Sequence, residues 1–188
     1  MRTFFAAILG ALLLAAAGGV AATAAELKSE YTDLDFKDCT IFTTDEMGFT
    51  AACPGLRGYP VILGEGDLRQ FVSYGIKATD EKAAQQTPGP FNHAGKKIEW
   101  RVDTSDPDDL QPAATILRWF IDADEGVGRP AGEILIVTQL KTGATCHIAY
   151  VDAKATKNAN ELARKIADKA GSFDCSGEPE LIQPFKAF

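Results

Sequence analysis

Apolar and polar residues alternate with a period of two over much of the chain, which is the period of half-buried strands. Across residues 97–102, Ile98, Trp100 and Val102 fall on one side and Lys97, Glu99 and Arg101 on the other, so one face is expected in a core and the other in solvent. Residues 115–121 repeat the pattern with Thr115, Leu117, Trp119 and Ile121, and their Trp-Phe-Ile ending favours strand over helix. Gln70, Val72, Tyr74 and Ile76 alternate with Arg69, Phe71 and Ser73 in a further strand. Past the first 25 residues the most hydrophobic run is 134–140. The turn Lys141-Thr142-Gly143-Ala144 leads it into residues 145–151, predicting a tight antiparallel hairpin. A second hairpin is predicted where residues 40–42 and 49–51 flank the polar stretch 43–48. Residues 59–63 read as a short strand closed by a turn at Gly64-Glu65-Gly66-Asp67, and residues 26–38 as a polar entry segment at a sheet edge.

A period near 3.6 is sustained once. Ala159, Leu162, Ala163, Ile166 and Ala170 form an apolar stripe over residues 159–170, with Asn158 as expected N-cap, Glu161 completing a capping box and pairing with Lys165, and Gly171 as the stop. So narrow and Ala-rich a stripe cannot be buried alone, so the helix is predicted to lie on the sheet. A shorter helix is expected over residues 80–86, capped by Thr79 and ended by Thr87-Pro88-Gly89-Pro90. Together these elements predict an α+β fold: an antiparallel β-sheet or small β-sandwich with one C-terminal helix packed on it.

The N-terminus has a different pattern. Arg2 precedes an apolar run from Phe4 to Ala17, and small residues follow as far as Ala25, the arrangement of a secretory signal peptide cleaved after Ala24 or Ala25. Residues 26–188 are then expected to form a single globular domain in the periplasm, with no membrane span after cleavage, since no later run approaches the ~20 apolar residues a span needs. The formal net charge is -7 over 188 residues. Without Arg2 it is about -8, which disfavours nucleic acid as a partner because that binding rests on Lys and Arg displacing counterions. Lys154, Lys157, Arg164, Lys165 and Lys169 cluster locally and read as the solvated face of the helix.

Cys39, Cys53, Cys146 and Cys175 all follow the leader, and an even number in an oxidising compartment predicts disulfides. Of three connectivities, Cys39 with Cys53 and Cys146 with Cys175 is favoured, because the first pair closes the 40–51 hairpin and the second pins the post-helical segment to a core strand. A closure of this size contributes about 3 kcal/mol in the loop-entropy model. No C-x-x-C spacing supports redox chemistry, and Cys146 beside His147 is one isolated couple, too little for zinc.

Acid-base chemistry would fall to His93 or His147. His147 sits in a predicted strand on the face opposite Cys146, Ile148 and Tyr150 and reads as structural, whereas His93, in a loop over residues 91–95, is freer but has no nucleophile at a readable spacing. Asp103, Asp106, Asp108 and Asp109 in one loop, and Asp122, Asp124 and Glu125 in another, lack EF-hand spacing and read as solvated loops. Neither cofactor nor metal is expected. The aromatic residues Tyr59, Tyr74, Phe91, Trp100 and Trp119 stand on or beside short strands, and His93, His147, Tyr74 and Trp100 are the candidate site residues.

The segments DLRQFVSYG from Asp67, FNHAGKKIEWR from Phe91, ILRWF from Ile116, CHIAYVDA from Cys146, NANELARKIAD from Asn158 and FDC from Phe173 carry a resemblance. The chain resembles a group of small exported proteins from alphaproteobacteria. That resemblance implies export to the periplasm and a single domain, and it carries over no activity or catalytic residue. The functional expectation is a non-enzymatic periplasmic binding or protein-interaction module, its partner an envelope protein or cell-wall enzyme. The rival is a periplasmic hydrolase acting on cell-wall or small-molecule substrates, using His93 and an acidic loop residue.

Overall fold

The computed structural model describes residues 27–106, 110–122 and 131–188. Ten strands are found there: β1 (Leu27–Asp33), β2 (Thr40–Thr44), β3 (Gly48–Cys53), β4 (Val61–Gly66), β5 (Arg69–Tyr74), β6 (Asn92–Asp103), β7 (Pro112–Ile121), β8 (Gly132–Gln139), β9 (Cys146–Asp152) and β10 (Glu180–Ile182). One helix, α1 (Ala159–Ala167), joins β9 to β10. The fold is therefore α+β. The strands form one hydrogen-bonded sheet in the order β10-β9-β8-β7-β6-β5-β4-β3-β2, with β1 antiparallel to β6, and the sheet is not closed. It is mixed, which corrects the purely antiparallel expectation. β10 returns parallel to β9 after the crossover through α1, and β5 meets β6 in parallel at Arg69 and Asn92.

Alternation sorts the apolar side chains into two cores. Ile98, Trp100, Val102, Leu117, Trp119, Ile121, Ile134, Ile136 and Tyr150 pack with Val61, Leu63, Val72 and Tyr74 in the first. The opposite faces of β7, β8 and β9 supply Ile116, Leu135, Val137, Ile148 and Val151 to the second, which Ala159, Ala163 and Ala167 of α1 cover. The β8–β9 hairpin thus has both faces buried, and its near-continuous hydrophobic sequence follows. Both expected disulfides are present, Cys39–Cys53 between the flanks of the β2–β3 hairpin and Cys146–Cys175 between β9 and the segment after α1. Such bonds are what a chain exported to an oxidising compartment carries. Among the described residues no helix is long and apolar enough to cross a membrane.

Four local expectations are corrected. Gly64, Glu65 and Gly66 continue β4, and the turn lies at Asp67 and Leu68, both at positive φ (50° and 59°), as a two-residue type I′ hairpin requires. Gly64 lies under the Phe71 ring of the neighbouring strand, where a Cβ would stand 2.2 Å from a ring carbon. Gly64→Val is accordingly expected to destabilise the fold by about 2 kcal/mol through overpacking, read as a lowered urea midpoint.

The helix over residues 80–86 resolves into two 3-10 turns, Ala78–Asp80 and Lys82–Gln85, because Glu81 between them is extended. The Glu81 carboxylate is buried, accepting hydrogen bonds from the amides of Gly143 at 2.6 Å and Thr145 at 2.9 Å. Those tertiary bonds hold the residue out of helical geometry. Asn158 is left-handed (φ 59°) and its side chain makes no cap bond, so the capping box is not formed; α1 ends at Ala167, before a 3-10 turn at Ala170–Ser172. The Glu161–Lys165 pair does form, at 2.7 Å. Finally, the polar face of β6 is solvated only in part: Lys97 is exposed, but Glu99 and Arg101 are 8% and 7% exposed, held by Arg164 and Asp168 of the helical segment.

Candidate functional site

A cleft of about 650 Å³ opens where the 3-10 turn Leu56–Gly58, the end of β5 and the start of β7 converge. Its walls include Leu56, Tyr59, Tyr74, Ile76, Leu110 and Glu81. Gly55 permits this arrangement. A Cβ there would lie 2.1 Å from the Tyr59 carbonyl oxygen and 2.8 Å from Val61 Cγ2, so only glycine lets the turn fold back on β4 and bring Tyr59 toward β6.

Tyr59 and Tyr74 both meet Trp100 edge-on, with ring centroids 5.8 and 5.6 Å away. Trp100 is wholly buried and its indole Nε1–H donates to Thr32 Oγ1 at 2.9 Å, so it backs the tyrosines and does not line the cleft. Burial pushes both phenol pKa values up, with the nearby Glu81 charge a smaller contribution at Tyr59. The phenols therefore remain neutral hydrogen-bonding groups on a mainly apolar wall. Ile76, read as continuing the alternation of Gln70, Val72 and Tyr74, lies beyond the end of β5 and is 95% exposed beside the opening. Glu81 brings a carboxylate, yet two backbone amides occupy it.

The candidate histidines lie apart from this cleft. His93 belongs to β6 and not to a loop. Its Nδ1 is 2.9 Å from Asp122 Oδ1, the His93 and Asp122 side chains being 46% and 40% exposed, and its ring stacks on Phe120. An acidic loop residue thus does meet His93; Asp108, Asp109, Asp124 and Glu125 lie outside the described residues. Among the described residues no group of three or more His, Cys, Asp or Glu is placed to hold a metal ion.

His147 shares a face with Tyr150, contrary to simple alternation. The β8 register pairs Val137 with Ala149 and Thr138 with His147, leaving Ile148 as an inserted bulge residue that shifts the face of everything after it. The His147 Nδ1 to Tyr150 Oη distance is 3.0 Å. The ring is fully buried, and burial lowers its pKa to about 3, so it is neutral at ordinary pH. Trp100, Thr115, Thr138 and His147 are successive cross-strand neighbours on β6 to β9, so a polar row crosses the first core. Among the described residues Ser73 Oγ, Gln86 Nε2 and Gln139 Oε1 are buried without a hydrogen-bond partner.

Of the four candidate site residues, the structure brings Tyr74 and Trp100 together and leaves His93 and His147 elsewhere. Sequence reasoning named Tyr59 but missed Leu56, Glu81 and Leu110 as its companions. The only sequence signal for Glu81 is its place in Asp80-Glu81-Lys82 ahead of an Ala pair, and nothing in it foretells capture by a distant turn. Comparison of the chain with protein-family models, curated proteins and solved structures yields no match.

Proposed function

We propose that the protein is a non-enzymatic binding module of the bacterial periplasm, with the Tyr59–Tyr74 cleft as its ligand seat. The observation that carries this reading is the cleft itself: about 650 Å³, within the range of small-molecule sites, with an aromatic and aliphatic wall and its one buried carboxylate taken up by backbone amides. Such a wall recognises a flat apolar body, and Lys77 at the rim favours an anionic group on it, Arg57 there being already paired with Glu30 at 2.5 Å. The same wall would accept an exposed aromatic side chain of an envelope protein or cell-wall enzyme. The Cys39–Cys53 and Cys146–Cys175 bonds support the periplasm as its compartment.

Anilinonaphthalene sulfonate has the required aromatic body and anionic group. The folded protein is expected to bind it with a micromolar Kd and one-to-one stoichiometry by fluorescence titration. Tyr59→Ala is expected to weaken binding about tenfold, ~1.4 kcal/mol, with the circular dichroism spectrum unchanged. Binding equal in the two proteins would remove the cleft as the seat. A second reading, a hydrolase, draws on the 2.9 Å His93–Asp122 contact. It requires turnover of cell-wall fragments or small esters that disappears in His93→Ala.

A further inference from the structure

We infer that β2 is a docking edge for an extended segment of a partner protein, one with alternating apolar residues flanked by Lys or Arg. This surface is separate from the cleft and does not depend on it. β2 ends the strand order, so among the described residues only β3 pairs with it and the outer row of backbone amides and carbonyls faces outward. All five of its residues are exposed. Ile41 and Phe42 are 48% and 51% exposed, and Met47 in the following turn is 67% exposed.

Edge strands of soluble proteins are usually protected by Lys, Pro, an inward charge or a bulge that turns the edge away. Thr40-Ile41-Phe42-Thr43-Thr44 carries no Lys, Pro or charge, and of these devices it has only the bulge that inserts Phe42 opposite β3. The strand is also held ready at both ends. The Cys39–Cys53 bond fastens its start to β3, and Asp45 Oδ1 fixes the turn after it by accepting from the amides of Met47 at 2.7 Å and Gly48 at 3.0 Å. An edge fixed in advance loses little conformational freedom when a second strand is added.

Charge selects the occupant. Asp38 precedes the strand and Asp45 and Glu46 follow it, all exposed, while Asp35 is already neutralised by Lys37 at 2.7 Å. A second copy paired antiparallel about Phe42 would set Asp38 against Glu46 at both ends, juxtaposing like charges. A strand with basic flanks meets opposite charges at both ends instead.

The test uses two labelled peptides with a common Val-Thr-Val-Thr-Val core, one with two lysines at each end and one with two glutamates. The lysine peptide is expected to bind at least tenfold tighter by fluorescence anisotropy, and to slow amide hydrogen exchange at residues 40–44 at least tenfold. Ile41→Lys is expected to weaken that binding at least tenfold with its thermal midpoint unchanged. Ser172→Lys, the same charge change at an exposed site elsewhere, is expected to leave it as it was. Equal binding of the two peptides, protection away from residues 40–44, or equal effects of the two lysine variants would overturn the proposal. Protection, without peptide, of those amides of residues 40–44 that face away from β3 would also overturn it: if concentration-dependent, a second copy covers the edge, and if not, the chain itself does. Because the readout is local to β2, failure here leaves the cleft reading standing, and failure of the Tyr59→Ala test leaves this one standing.

Discussion

Asp168→Ala is expected to destabilise the fold by about 4 kcal/mol, and Arg101→Met by less, although the two substitutions break the same ion pair. The Arg101 side chain is 9% exposed and that of Asp168 39%. Arg101 Nε and Nη2 donate to the two Asp168 carboxylate oxygens at 2.7 and 3.1 Å, and the guanidinium also donates to Ser29 Oγ at 2.5 Å and the Leu27 carbonyl at 2.8 Å. Removing Asp168 leaves a buried cation whose direct partners are neutral, the Glu99 carboxylate reaching it only through the Ser29 hydroxyl. Removing Arg101 leaves a carboxylate already in contact with water, which can complete its hydration. The asymmetry follows from burial and not from the strength of the pair. The double variant Arg101→Met/Asp168→Ala should therefore be more stable than Asp168→Ala alone, since the stranded charge is gone. Urea unfolding of the four proteins in one buffer checks this. Additive losses in the double variant would show that Arg101 is not stranded when its partner is absent.

The same network shows where the sequence stops informing. Lys97, Glu99 and Arg101 alternate with Ile98, Trp100 and Val102, and a period-two pattern by itself assigns the charged side to solvent. What buries Glu99 and Arg101 is the helix some sixty residues later, which brings Arg164 and Asp168 over them; Arg164 Nε donates to Glu99 Oε1 at 2.6 Å. Complementary charges on a strand and a helix are visible in the chain, but their meeting depends on where the helix lands. The β8–β9 hairpin, the Ala stripe of α1 and both disulfide pairings were legible because each depends on neighbours close in sequence or on compartment chemistry. The two 3-10 turns around Glu81 and the Ile148 bulge were not, since distant backbone amides decide the first and β8 pairing the second. The cleft was half legible. Its tyrosines and Trp100 stood out as aromatics on strands, whereas Leu56 and Leu110 join them only through the turn that Gly55 permits.

Acid is expected to expose the one buried imidazole. His147 has a pKa near 6.5 in the unfolded chain and about 3 in the folded protein, lowered by burial. Between those values the unfolded chain binds a proton that the native state refuses, so stability falls as the pH drops through this window and is unaffected by His147 above it. At pH 4 the accumulated loss is about 3 kcal/mol, from ~1.4 kcal/mol per pH unit. Protonation in place is disfavoured because the ring is 1% exposed and its side-chain neighbour at Nδ1 is the neutral Tyr150 hydroxyl, with no carboxylate bonded to it. His147→Gln removes the titration and keeps a polar group near Tyr150. The variant is expected to be less stable than the parent at pH 7 and to lose about 3 kcal/mol less on acidification to pH 4, because the carboxylates titrate alike in both proteins. Urea midpoints measured from pH 7 to pH 4 on the pair provide the comparison. Curves that stay parallel across the range would mean that the native state accepts the proton, which requires the first core to open around β9 in mild acid.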